Sequence, residues 1–343
     1  MPRIYSIIES VAMITVDSIK RVYYAVLIKF SSKEPRGQEL INRYRANYGI
    51  PKEVNLTEED ILEHWNLELQ LTKQLLESSR DNRWEIFEKS YTTLYTQLEW
   101  LNKFIDKRNP TPPNVLYKDW AYLIGTQPQK IYEVGSGRAE MISYLAKLGH
   151  QCKATEITRE RGKKHTSTKL DNLKWGISDG VHLEQFEPPN TYDFVISNQV
   201  IEHIHPDDLL EHCKHVYSIL KPGGKYIVCA PHAWHGPADI SAVFKYKKAI
   251  GMHLKEYTNY ELYSFLRTSG FSKVTSLYKP PLVITYFFDS SVNIRKSIFY
   301  TIYLFVIENL FSLIPRTLVD HGVKSLAKTF QFPENIFFIA QKD

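Results

Sequence analysis

From Lys130 onward the chain alternates short apolar runs with amphipathic stretches. The runs are KIYEV, CKATEI, LKWGI, YDFVIS, KYIVCA, FSKVTSLY and NIFFIAQ, and helical patterns lie between most of them. Runs this short and apolar, bounded by turn residues, read as buried strands. Strands that alternate with helices define an open, doubly wound α/β sheet. Ligands of such sheets bind beyond the carboxyl ends of the strands, where the strand order reverses, so the strand ends are the places to search for chemistry.

The first strand ends in a glycine turn, EVGSGRAEM. Glycines let backbone approach a ligand where a Cβ would clash, and the helix that follows offers free N–H groups. A dinucleotide fingerprint wants a third glycine three residues after Gly137, but Glu140 stands there. With Glu133 at the entrance, two acids would oppose the pyrophosphate that a helix start otherwise favours. The turn suits a cationic or zwitterionic ligand instead.

The 343 residues exceed a typical single domain, which predicts one core domain with sizeable additions. Thr57 and Asp60 mark a helix start, and Ile61, Trp65, Leu69, Thr72 and Leu76 repeat at helical spacing over about 57–79. Trp84, Phe87, Tyr91, Leu94, Leu98, Leu101 and Ile105 predict a second, antiparallel helix, ended by the breaker-rich RNPTPPN at 108–114. The division expected is a helical region at 1–110, serving as lid or dimer contact, an α/β domain at 111–279, an aromatic-rich helical insertion or lid at 280–333, and a last strand at 334–343. The apolar run IFYTIYLFVI at 298–307 is about half the length of a membrane span, and the N-terminal apolar stretch is broken by Glu9, Asp17, Lys20 and Arg21. A peripheral lipid contact through Tyr286–Phe311 stays open. Cys152, Cys213 and Cys229 lack metal-type spacing and are expected as reduced thiols of a cytoplasmic protein. A net charge of +5 without a dense basic run, the Arg159, Arg161, Lys163, Lys164 cluster being read as a solvated surface, disfavours a nucleic-acid partner.

The series of strand ends, EVGSG, ATEI, SDG and SNQVIEHI, followed by LKPGG before the fifth strand and NYELYSFLRTSGF before the sixth, resembles the class I S-adenosylmethionine-dependent methyltransferases, especially the broad small-molecule group. The resemblance covers residues 128 to about 279 and the last strand. It implies a mostly parallel, seven-stranded Rossmann-like sheet whose last strand is antiparallel. It also implies S-adenosylmethionine as cofactor, with Glu133, Gly135, Ser136 and Gly137 at its amino-acid end, Glu156 accepting from the ribose hydroxyls, Ile157 against the adenine and Asp179 at the adenine amino group. Gly180, Asn198 and Gln199 complete the implied cofactor set. The sulfonium and ammonium of that cofactor, and its lack of phosphate, agree with the acids at the turn.

Seven histidines fall between 203 and 253. His212 and His215 lie on a predicted helix, where an exposed or capping role is expected. His203 follows the fourth strand and His232 and His235 the fifth, in loops that open toward the methyl group in this fold. These three are the candidate bases or acceptor-orienting groups, His203 first. A metal set of His232, His235 and Asp239 is set aside for its loose spacing, so no metal is assigned. That loop is read as a substrate lid with Trp234, Phe244 and Tyr246 as apolar walls. The expected reaction is methyl transfer to an oxygen or nitrogen of a small molecule, such as a sugar, a lipid-linked compound or a secondary metabolite. The alternatives are an RNA or protein methyltransferase and a non-catalytic cofactor-binding partner subunit. A homodimer contact stays open.

Overall fold

A computed structural model describes residues 34–105, 111–158, 170–279, 294–313 and 332–343. The N-terminal apolar stretch, the basic cluster at 159–164 and the Tyr286 end of the aromatic segment lie outside these. Seven strands form where the apolar runs predict them: β1 (Lys130–Val134), β2 (Gln151–Glu156), β3 (Leu173–Ile177), β4 (Tyr192–Asn198), β5 (Leu220–Pro231), β6 (Lys273–Tyr278) and β8 (Asn335–Gln341). Among the described residues an eighth, β7 (Arg295–Ser297), pairs antiparallel with β6. The sheet order is β3-β2-β1-β4-β5-β8-β6-β7. β1 to β5 run parallel, and β8 lies antiparallel to both β5 and β6. The reversal of strand order falls between β1 and β4, so the carboxyl ends of these two strands open the crevice in which ligands of this fold lie.

Helices cover both faces. One layer buries Val195, Val228 and Phe338 against Leu209, Val216, Leu262 and Leu266. These helical residues belong to the helices at Leu209–Ile219 and Asn259–Thr268. The other layer buries Ile131, Ile196 and Ile227 against Ile142 and Leu145 of the helix at Glu140–Lys147.

The N-terminal helices are α1 (Gly37–Tyr48), α2 (Glu58–Leu76), α3 (Arg83–Gln97) and α4 (Glu99–Ile105), and along the rest of the described chain follow α5 (Pro113–Leu116), α6 (Lys118–Ile124), α7 (Glu140–Lys147), α8 (Leu209–Ile219) and α9 (Asn259–Thr268). Thr57 and Asp60 form a reciprocal capping box at the start of α2. The single second helix expected over 84–105 is broken at Leu98. Thr93 and Thr96 donate their hydroxyls back to the carbonyls of Lys89 and Thr92, which bends a helix and weakens its last turn.

This region is not a detachable module. Leu40, Ile61 and Trp65 pack on Ile240, Val243 and Phe244, with Trp65 stacked on Phe244 at 4.5 Å. Leu71, Phe87 and Tyr91 pack on Met252 and Leu254. The segment after β5 therefore closes on the helical region. Of the insertion expected as a lid at 280–333, residues 294–313 and 332–333 are described. Its described helix, α10 (Ile298–Ser312), packs with Tyr260 and Tyr263 beside β6 and contributes nothing to the wall of the main cavity. No helix among the described residues is long and apolar enough to cross a membrane.

Candidate active site

The glycine turn after β1 is held from two sides. Gly135 and Gly137 take left-handed φ values of 60° and 56°, a conformation that costs an L-residue about 1–2 kcal/mol. Ser136 donates its N–H to Thr155 O at 2.8 Å and Gly137 donates to Glu156 Oε1 at 2.7 Å, so the end of β2 fixes the turn. A Cβ at Gly135 would stand 2.9 Å from Val200 Cγ2, behind the end of β4. Glu133 is buried with Oε2 unpartnered, and the hydroxyl of Ser136 is likewise buried without a partner. Burial, reinforced by the neighbouring Glu156 carboxylate, raises the Glu133 carboxyl well above its ordinary range, against the opposing N–H of Ile142. These features suit a ligand that brings a cation and hydrogen-bond donors to the turn.

A cavity of about 1300 Å³ opens from the turn along the carboxyl ends of β1 to β4 and under α3. All ten residues expected at the cofactor, namely Glu133, Gly135, Ser136, Gly137, Glu156, Ile157, Asp179, Gly180, Asn198 and Gln199, line it. Two are more constrained than the sequence suggests. Asp179 already receives the N–H groups of Val181 and His182 at 2.9 Å and the imidazole of His182 at 2.5 Å. Gln199 takes φ 58° and reaches toward Asn335, with Nε2 3.4 Å from its Oδ1.

The three candidate histidines separate. His203 lines the cavity, its Nδ1 2.9 Å from Met252 O and its ring edge-on to Tyr91. His232 and His235, expected beside it, do not line it. His232 is fully buried, with Nε2 2.6 Å from Glu308 Oε1 and Nδ1 accepting from Trp234 N. Glu308 also accepts from Asn259 N, Asn259 Nδ2 and Tyr260 N, so it joins α10 to the helix at Asn259–Thr268. His235 stacks on Phe332 at 5.7 Å. The loop after β5 turns toward α10 because a buried acid in an otherwise apolar helix must be paired.

The walls expected from that loop are corrected as well. Phe244 sits in the core with Trp65, Trp234 packs by Phe311, and the Tyr246 hydroxyl donates to Glu34. The apolar wall is Trp84, Phe87, Tyr91 and Tyr95 of α3 instead. His212, expected exposed or capping, is buried between Gly180 O and the Tyr226 hydroxyl, and burial pushes it down to about 4.

Sequence reasoning also missed Glu202 and His253. Glu202 is fully buried beside His203, and burial pushes its carboxyl up to about 7. His253 lines the cavity, with Nδ1 2.9 Å from Glu256 Oε1. The segment that carries it is fixed by two acids: Met252 N donates to Glu68 Oε2 and Gly251 N to Asp239 Oδ2. The signal for Glu202 was its place in IEH at a strand end. Nothing local marked His253, fifty residues further on.

A sequence model of the family described as "Methyltransferase domain" matches residues 101–276, more than half of the chain. No curated protein matches the sequence. Similar solved structures include an S-adenosylmethionine-dependent methyltransferase from Archaeoglobus fulgidus, 16% identical, covering 71% of this chain and 100% of that one with a TM-score of 0.47. Another is the 1,6-didemethyltoxoflavin-N1-methyltransferase of Burkholderia thailandensis with 1,6-didemethyltoxoflavin and S-adenosylhomocysteine, 15% identical, covering 58% and 82% with a TM-score of 0.43. A third is an S-adenosylmethionine-dependent methyltransferase from Mesorhizobium loti, 12% identical, covering 63% and 92% with a TM-score of 0.42. Membership rests on the family match. The chain belongs to the methyltransferase domain family, within the class I S-adenosylmethionine-dependent methyltransferases, and is an enzyme that uses S-adenosylmethionine.

Proposed function

We propose that the protein transfers the methyl group of S-adenosylmethionine to a small molecule held between the sheet and α3. The observation that carries this reading is the cavity: at about 1300 Å³ it exceeds the roughly 300–1,000 Å³ of a site for one ligand, leaving room for an acceptor beside the cofactor. Its wall carries nine carboxylate residues against three arginines and, among the described residues, no lysine, a field that repels a phosphate backbone. An acid-lined and partly aromatic cavity favours a neutral or cationic small molecule over RNA.

Within it the cofactor's amino-acid end lies on the turn, with its ammonium at Glu133 and Ser136 close by. The ribose diol lies on Glu156, whose Oε1 is already oriented by Gly137 N. Asp179, Gly180 and Ile157 flank the adenine, and Asn198 and Gln199 stand where the methyl group emerges. Of the three candidate histidines, His203 is the one that reaches the acceptor. Bound S-adenosylmethionine supplies the electrophilic methyl. The protein supplies placement, holding acceptor atom, methyl carbon and sulfur in line.

The test is incubation of purified protein with labelled methyl donor and a metabolite extract. Label in low-molecular-weight products supports the reading; label only in RNA or protein refutes it.

A further inference from the structure

Glu202, His203 and His253 stand together although fifty residues separate His253 from the other two. One ligand atom of each lies within 4.8 Å of the others, the only such group of three among the described residues. The two imidazoles face each other edge to plane, their centroids 4.8 Å apart and their planes at 84°. Glu202 is fully buried, and neither of its oxygens receives a hydrogen bond from another residue. A buried carboxyl with neither oxygen hydrogen-bonded carries an unmet requirement that a bound ion would meet.

The histidines are prepared in the manner of metal ligands. The Nδ1–H of His203 donates to the Met252 carbonyl, and that of His253 donates to Glu256, itself fixed by the Ala238 N–H at 2.7 Å. In these tautomers each ring presents Nε2 as its lone-pair nitrogen. A carbonyl or carboxylate behind the ring is the usual support of a metal-bound imidazole. The Met252 carbonyl is held in turn, because Glu68 accepts the Met252 N–H and takes His64 Nε2 at 2.8 Å.

We infer that Glu202, His203 and His253 form a binding site for a divalent first-row transition cation whose open position faces the acceptor. Two imidazoles and one carboxylate suit zinc, manganese, iron or cobalt better than magnesium or calcium, which prefer all-oxygen sets. Three protein ligands with a vacant position mark a catalytic rather than a structural centre. His203 and His253 both line the cavity, so that vacancy opens into it.

The inference deepens the proposed function and rests on it, since it selects a hydroxyl as the acceptor group. The acceptor oxygen binds the cation, which lowers its pKa, and its proton leaves to solvent. The oxygen lone pair then forms the O–C bond as the C–S bond breaks and its electrons return to sulfur. The products are a methyl ether and S-adenosylhomocysteine, with the cation unchanged.

The test begins with metal. The full chain, stripped with chelator, is titrated with Zn²⁺, Mn²⁺, Co²⁺ and Mg²⁺, following bound metal by elemental analysis and the Co²⁺ absorption spectrum. One first-row cation per chain is expected. Glu202→Gln and His253→Asn should each weaken it by at least about tenfold, while S-adenosylhomocysteine affinity stays unchanged and His215→Gln, outside the cavity, binds metal like the wild type. Failure of the stripped wild type to bind one equivalent, binding of Mg²⁺ alone, or undiminished binding by both folded variants would overturn the inference. Should Glu202→Gln not fold, His253→Asn decides alone. Because S-adenosylhomocysteine binding is measured separately, a failed metal site is distinguishable from a failed cofactor site.

Discussion

Glu133 ties cofactor binding to pH in a direction its surroundings fix. Its carboxyl is fully buried, is raised well above its ordinary value of 4.5 by that burial and by Glu156, and keeps Oε2 without a partner. In the ligand-free fold it therefore keeps its proton to higher pH than an exposed carboxyl does. Pairing with the cofactor's ammonium requires the ionised form, so binding must expel that proton. Below the folded pKa, affinity for S-adenosylhomocysteine should therefore rise about tenfold, or 1.36 kcal/mol, per pH unit.

Stability runs the other way. A group whose folded pKa is raised binds protons more tightly in the native state, so its contribution is fully present below about pH 4.5 and is lost as pH rises through the folded value. Glu133→Gln removes both effects. The variant should melt above the ligand-free wild type by a margin that grows with pH. It should also lose a charge-assisted bond of about 1.5–3 kcal/mol, or roughly 10- to 150-fold in affinity, at the alkaline end of the range. Calorimetry in buffers of different ionisation enthalpy, over a pH range that starts from the ordinary carboxyl value of 4.5 and runs upward, measures proton release directly. A wild-type affinity flat across that range, or a Gln variant that keeps the slope, would refute the reasoning.

Gly135→Ala should lose about 1–2 kcal/mol to its left-handed backbone and more to the 2.9 Å approach of Val200, and should weaken S-adenosylhomocysteine binding. Adding Val200→Ala should restore only the steric share of the lost stability, read by thermal and chemical unfolding. His232→Ala deprives Glu308 of one of its four hydrogen bonds and should cost about 1–3 kcal/mol of stability, while turnover per folded molecule stays at the wild-type level. A catalytic loss with unchanged melting would return His232 to the reaction. Removing residues 332–343 deletes β8 from between β5 and β6 and should give insoluble protein, whereas a soluble, active product would contradict the sheet order.

Local patterns carried most of the fold. A strand such as YDFVISN is buried along nearly its whole length, so it reads as a continuous apolar run, and Thr57 with Asp60 announces its helix directly. β7 escaped because RKS is three residues long and charged, with nothing to mark it but its pairing with β6. The α3 aromatics were legible as a packed face, but periodicity could not say that the same face walls a cavity. His232 was misplaced because loop histidines were read alone. Glu308, a lone acid in an apolar helix, was the sign that some buried donor had to meet it. Glu202 and His253 meet only through the path of the chain after β5, information that no window of sequence contains.

The position of β8 also sets an order of events during synthesis. β3, β2, β1, β4 and β5 can assemble as soon as residue 231 has emerged, but β6 has no neighbour on that side until Asn335–Gln341 arrives. At about 5–20 residues per second, the intervening stretch of roughly 100 residues takes about 5–20 s to be made. Throughout that interval the nascent chain presents the open hydrogen-bonding edge of β5, whose Tyr226, Ile227 and Val228 are completely buried in the finished sheet. The protein's exposure to misassembly on the ribosome is thus written into its strand order, and slowing translation between residues 232 and 334 should lower its soluble yield.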